Sequence, residues 1–291
     1  MTSEITLQIP GLRLAARVWG PEDGLPVLAL HGWLDNAASF DRLAPLLPGC
    51  RIVALDHAGH GLSAHRGHGT YYLLDYVADA IAAAVALGWS RYALLGHSLG
   101  AAVATLCAGA YPQRILRLAL IEGLAPLTDD PDEAASRLRI ALDREAWGAR
   151  VSARPYPTID AAAAARTYAT GLNPDAARIL VERALEPVDG GWHWRTDPRL
   201  RWPSRIRLTS AQVNSFLSAI TCPVKLITAD RGIPFGRAVI AERRACISDL
   251  EIADLSGSHH LHLEEPEPVA QALASFLVAG PGDDSSAQGG A

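Results

Sequence analysis

The stretch "LLGHSLGAAV", Leu94–Val103, sets a serine between two glycines, each two positions away, where an apolar β-like run gives way to a small-residue, helix-like run. It fits G-x-S-x-G in the strand–turn–helix setting that the pattern requires, with the serine on a sharp, strained turn and its hydroxyl presented outward. Gly96 and Gly100 leave room for neighbouring chain to pass close to that turn. Ser98 is therefore a candidate nucleophile rather than an ordinary loop hydroxyl.

Working outward, strand-like runs occur at 4–9, 12–19, 26–32, 51–57, 92–98, 116–123, 223–230 and 250–255, with helical patterns at 71–88 and 99–112. Strands alternating with helices predict an α/β fold with a mostly parallel sheet covered on both faces. The alternation stops between Ala125 and Ser215, where helical patterns are followed by the arginine-rich "WHWRTDPRLRWPSRIRL". An insert of this kind is expected to cap the C-terminal edge of the sheet, where ligands bind in open α/β folds. The expected organisation is a core from 1–125 and 216–279, a helical cap from 126–215, and a disordered tail from 280–291 with no large apolar side chain to bury.

Of the 291 residues, 49% are hydrophobic and 20% charged, and the net charge is −5, a globular composition with no electrostatic reason to bind nucleic acid or an anionic membrane. Cys50, Cys107, Cys222 and Cys246 are far apart and form no C-x-x-C pair, which argues against a disulfide scaffold or a zinc site built from them. The N-terminus lacks a secretory pattern and no long apolar span occurs, so a cytoplasmic protein acting on a small molecule is expected. Oligomeric state is not legible.

A serine that attacks a carbonyl needs a base, and the oxyanion that develops needs N–H donors. "LHGWLDNAASF" (30–40) ends a strand in His-Gly, so that the Trp33 and Leu99 N–H groups can point at one space and form an oxyanion hole. "SGSHHLHLEEPEPV" (256–269) offers three histidines as the base. The H-x-x-H spacing of His259 and His262 could chelate zinc, but no third ligand stands in a matching arrangement, and no metal is expected there. His57, His60, His65 and His68 in "DHAGHGLSAHRGH" read as loop residues rather than ligands.

The segments "HGWLDN", "DHAGHGLS", "GHSLG" and the histidine run together resemble the α/β-hydrolases over nearly all of Thr6 to Val278. The resemblance implies an eight-stranded, mostly parallel sheet with helices on both faces, an inserted helical cap and no cofactor. Matching His262, Glu264 and Pro266 to the family's closing pattern puts the catalytic base at His259, with His260 as the fallback. Many members carry the acid after the seventh strand, yet in "ITADRGIPFG" that position is Gly232. Two acids stay open: Glu122, closing the sixth strand in "LALIEGLAP", and Asp230. Glu122 is favoured because the shortened loop resembles members that have moved their acid to the sixth strand, some haloalkane dehalogenases among them.

"IEGLAPLTDDPDEA", "GGWHWRTDPRLR" and "GSHHLHLEEP" narrow the resemblance to the serine hydrolase-like proteins. Serine at the elbow, where dehalogenases and epoxide hydrolases use aspartate, implies acyl transfer through an acyl-enzyme. The expected substrate is a carboxylic ester, thioester or lactone. Carbon–carbon bond hydrolysis, acyl transfer to another acceptor and ligand binding without turnover remain open. Trp33, Trp147, Trp192, Trp194 and Trp202 could line an apolar pocket or simply pack the cap. Arg195, Arg199, Arg201, Arg205 and Arg207 could hold an anionic substrate group or form surface ion pairs.

Overall fold

The computed structural model describes residues 2–147, 154–233 and 237–278. The expected tail at 280–291 and the Trp147 side chain lie outside the described residues. In chain order the strands are β1 (Ser3–Ile9), β2 (Leu12–Trp19), β3 (Leu25–Leu30), β4 (Cys50–Leu55), β5 (Tyr92–His97), β6 (Ile115–Ile121), β7 (Leu185–Val188), β8 (Gly191–Trp194), β9 (Val224–Arg231) and β10 (Leu250–Ser258). The helices are α1 (Leu73–Ala86), α2 (Leu99–Ala110), α3 (Ala134–Trp147), α4 (Ile159–Thr170), α5 (Pro174–Ala184), α6 (Ser210–Ser218), α7 (Arg237–Ala245), α8 (Leu261–Glu264) and α9 (Pro266–Val278).

Eight strands form one sheet in the order β1-β2-β4-β3-β5-β6-β9-β10. β2 runs antiparallel to both β1 and β4, and every pairing from β4 to β10 is parallel. The apolar runs that predict these strands are continuous because both faces of the sheet are buried. Leu28, Leu30, Leu94, Leu118 and Leu120 join the core on the face covered by α1, α2 and α6. Their alternate neighbours Val27, Ala29, Leu95, Ala119 and Ile121 pack on the other face with Phe40 and the α9 residues Val269 and Leu273. Leu94 is fully buried, and truncation to alanine would cost about 2–5 kcal/mol.

The long connection between β6 and β9 holds more than the helices read from sequence. It carries α3–α6 and also the antiparallel hairpin β7–β8, where Pro187 pairs with Trp192. The expected boundary at 215 falls inside α6, whose Val213 and Leu217 belong to the core around α2.

Other parts of this connection dock on the C-terminal edge of the sheet. Asn36 Nδ2 donates to the Leu180 carbonyl at 2.8 Å, and Asp197 N–H donates to the Gly59 carbonyl at 2.9 Å. Arg183 pairs with Asp56 at 2.9 Å beyond β4, and with Glu4 at 2.6 Å on β1. No helix among the described residues is long and apolar enough to cross a membrane.

Candidate active site

Ser98 follows β5 and precedes α2 with φ 52° and ψ −110°, and its side chain makes no capping bond to the helix. Among the described residues, the non-glycine positions with positive φ are Leu34, Ser98 and Glu122. They stand beyond the C-terminal ends of β3, β5 and β6, so among the described residues the strained non-glycine backbone is concentrated along one stretch of the sheet edge. Gly100 explains how the elbow fits there: a Cβ on it would lie 1.9 Å from the Leu30 carbonyl oxygen and 2.8 Å from that of His31. The start of α2 is thereby pressed against the end of β3, where Trp33 lies.

Leu99 opens α2, so helix geometry supplies no acceptor for its N–H. Around Trp33, two histidines shape the turn. His31 Nδ1 meets the Gly32 carbonyl at 2.7 Å, its Nε2 accepts from the His57 N–H at 3.0 Å, and His60 Nε2 accepts from the Leu34 N–H at 3.2 Å. Burial holds the His31 ring well below its usual range, His57 down to about 3 and His60 down to about 4, so all three are neutral. His57 and His60 are loop residues as expected, but fully enclosed ones; His65 bonds the Arg195 carbonyl and His68 is exposed. The Trp33 indole is 52% exposed, with Nε1 donating to the Leu200 carbonyl at 3.1 Å.

The structure brings His259 and Glu122 together. His259 follows β10, and its Nδ1 lies 3.0 Å from Glu122 Oε2. The Glu122 carboxylate is buried, with 2% of its side chain exposed, and accepts the Ala229 N–H at 2.7 Å and the Ile233 N–H at 3.0 Å. Asp230 is not brought to the histidine. Its carboxylate accepts from the Gly257 N–H at 2.8 Å and from the Ser256 hydroxyl at 3.1 Å, bonds that hold it below its usual range. The fallback base His260 points its Nε2 at Asp35 Oδ2, 3.1 Å away. His262 Nε2 meets the Ser39 hydroxyl at 2.7 Å, so His259 and His262 each have partners of their own.

The insert's side chains resolve largely into packing and pairing. Trp192 and Trp194 lie against Val181 and Leu185 within the insert, and Trp194 meets Tyr156 edge to face at 6.0 Å. Arg195 pairs with Glu186 at 3.2 Å, Arg199 with Asp197 at 2.6 Å, Arg205 with Glu145, and Arg207 with Asp129 at 3.2 Å. Four of the five arginines thus already meet carboxylates. Sequence reasoning passed over Asp35, His97 and Arg166, whose contacts join separate elements, and gave Gly232 no role beyond the missing acid.

A strained serine elbow, a buried glutamate on a histidine and a mostly parallel sheet are the setting for the comparisons with known proteins. The model of the alpha/beta hydrolase fold family matches residues 26–230. The chain is 32% identical over 300 residues to a serine hydrolase-like protein of Danio rerio, covering 99% of this chain and 92% of that protein. A hypothetical protein from Pseudomonas aeruginosa PAO1 superposes with a TM-score of 0.88 at 46% identity, covering 94% of this chain and 98% of that one. The thioesterase domain from the curacin biosynthetic pathway superposes with a TM-score of 0.83 at 28% identity, covering 95% and 99%. The chain belongs to the alpha/beta hydrolase fold family, within its serine hydrolase-like group.

Proposed function

We propose that this hydrolase cleaves a carboxylic ester, thioester or lactone of a small molecule through an acyl-enzyme on Ser98. The observation that carries the reading is the 3.0 Å contact between His259 Nδ1 and the buried Glu122 carboxylate. A carboxylate only accepts, so it holds the hydrogen on Nδ1 and leaves Nε2 as the basic nitrogen.

In this mechanism Ser98 Oγ attacks the substrate carbonyl carbon while its proton passes to His259 Nε2. The oxygen that gains charge is held by the Trp33 and Leu99 N–H groups, and Glu122 stabilises the imidazolium. Collapse breaks the bond to the leaving group, which takes the proton from His259. Water then attacks the acyl carbon, gives one proton to His259, and releases the acid as that proton returns to Ser98. The insert between β6 and β9 serves as a cap over the site, supported by its contacts to Asp35, Asp56 and Trp33. The thioesterase likeness favours acyl substrates over carbon–carbon bonds.

The test is turnover of chromogenic short-chain esters and thioesters by wild-type protein and by Ser98→Ala. Burst release by the wild type, absent in the variant, is expected. Failure of the wild type to turn over any acyl ester or to react with a fluorophosphonate would overturn the reading.

A further inference from the structure

Behind the proposed base, a second group of polar side chains is drawn together from two loops and the end of a strand. Asp35 follows β3, His97 ends β5, and His260 precedes α8; one ligand-type atom from each lies within 4.8 Å of the others. Asp35 Oδ2 is 3.1 Å from His260 Nε2 and 3.7 Å from His97 Nδ1. The Asp35 side chain is 1% exposed, that of His97 0%, and that of His260 12%.

The decisive atom is His97 Nδ1. On the far side of the ring, Nε2 lies 2.9 Å from the His259 carbonyl oxygen. A carbonyl only accepts, so the hydrogen of the neutral ring is on Nε2 and Nδ1 presents a bare lone pair. That nitrogen is fully buried, has no hydrogen-bond partner, and faces a carboxylate oxygen that also offers a lone pair. Two acceptors facing each other inside a protein are both satisfied by a cation between them.

We propose that Asp35 Oδ2, His97 Nδ1 and His260 Nε2 form a binding site for a divalent late transition-metal ion such as Zn2+. Two imidazole nitrogens and one carboxylate oxygen are a common donor set for such ions. Bonds of about 2.0–2.2 Å in tetrahedral geometry put ligand atoms about 3.4 Å apart; Asp35 Oδ2 stands 3.1 and 3.7 Å from the two nitrogens and all three atoms lie within 4.8 Å of one another, so the two histidines would draw together around the ion. The supporting contacts are those of a metal site: His97 is oriented through Nε2, and Arg166 takes the other oxygen of Asp35. Arg166 also opposes the charge of the ion, which limits the affinity. His259 and Ser98 are not ligands in this arrangement, but His97 ties the site to the backbone of His259.

The experiment titrates chelator-stripped full-length protein with Zn2+ alone by calorimetry, and with Co2+ by visible absorption. One equivalent of ion and a cobalt d–d band are expected for the wild type. His260→Gln, at a side chain that reaches the surface, and the near-isosteric Asp35→Asn should each weaken Zn2+ binding by at least about 10–100-fold while still melting cooperatively. His259→Gln should keep the ion. No binding by the wild type, wild-type affinity in either ligand variant, or loss of the ion in His259→Gln while His260→Gln retains it, would each overturn the site. None of these readouts depends on ester hydrolysis.

Discussion

A side chain at Gly232 and the carboxylate of Glu122 exclude each other: a Cβ at 232 would lie 2.0 Å from Oε2 and 2.4 Å from Cδ of Glu122. The bare backbone at 232 is what lets Glu122 reach the Ala229 and Ile233 N–H groups and His259 together. Position 232 is also where the family resemblance directs a search for the acid, and its bare backbone leaves that space to the Glu122 carboxylate.

Gly232→Ala should therefore displace the acid without touching the serine or the histidine. Ester turnover is expected to fall at least about 100-fold, because the histidine loses the partner that sets its tautomer. Circular dichroism should be unchanged. Full activity in this variant would separate Glu122 from catalysis.

Glu122→Gln and Asp230→Asn test the same assignment from the side of the acids. Loss of the triad acid is expected to lower kcat by about 10³–10⁴-fold. Asp230→Asn, whose exposed carboxylate bonds Ser256 and Gly257 near the end of β10, should stay within about twofold, since substitutions at such surface sites change little. The reverse pattern in steady-state kinetics would move the acid to Asp230.

Both of these outcomes turn on what the sequence shows and what it hides. Strands buried on both faces announce themselves as continuous apolar runs, and the elbow is local, so the sheet and Ser98 are legible from short windows. Glu122 is legible because it closes such a run at the site edge and because the shortened loop around Gly232 resembles members that carry the acid there. The hairpin β7–β8 is not, since Pro187 weakens the strand pattern and "DGG" at 189–191 sits among helical segments. Pairings such as Arg183 with Asp56, or His97 with Asp35, join segments far apart in the chain and leave no periodic trace.

Arg183 and Asp56 form a buried bond between α5 and the loop after β4, with side chains 3% and 0% exposed. Arg183→Met would leave Asp56 without its opposite charge, in a place where burial already raises the carboxyl above its usual range. A loss of about 3–5 kcal/mol in urea denaturation is expected. A change under about 1 kcal/mol would mean that the bond does not hold the insert to the core.

Burial lowers the folded-state values of His57 and His262 to about 3 and of His60 to about 4, from an ordinary 6.5. The unfolded chain then binds more protons than the folded one below about pH 6.5. Stability is full above that pH and falls as acid is added toward pH 4, by about 1.4 kcal/mol per pH unit for each such ring. Urea midpoints measured at about pH 7.5, 6 and 5 should drop progressively; equal midpoints would show that these rings are free to protonate in the folded protein.

The central claim, that Ser98 accepts an acyl group, is tested most directly by intact-protein and peptide mass spectrometry of enzyme quenched during turnover of an activated ester. The account predicts one acyl group per chain, carried on the peptide containing Ser98 and absent in Ser98→Ala. An acyl group on another residue, or rapid ester turnover by Ser98→Ala, would contradict it.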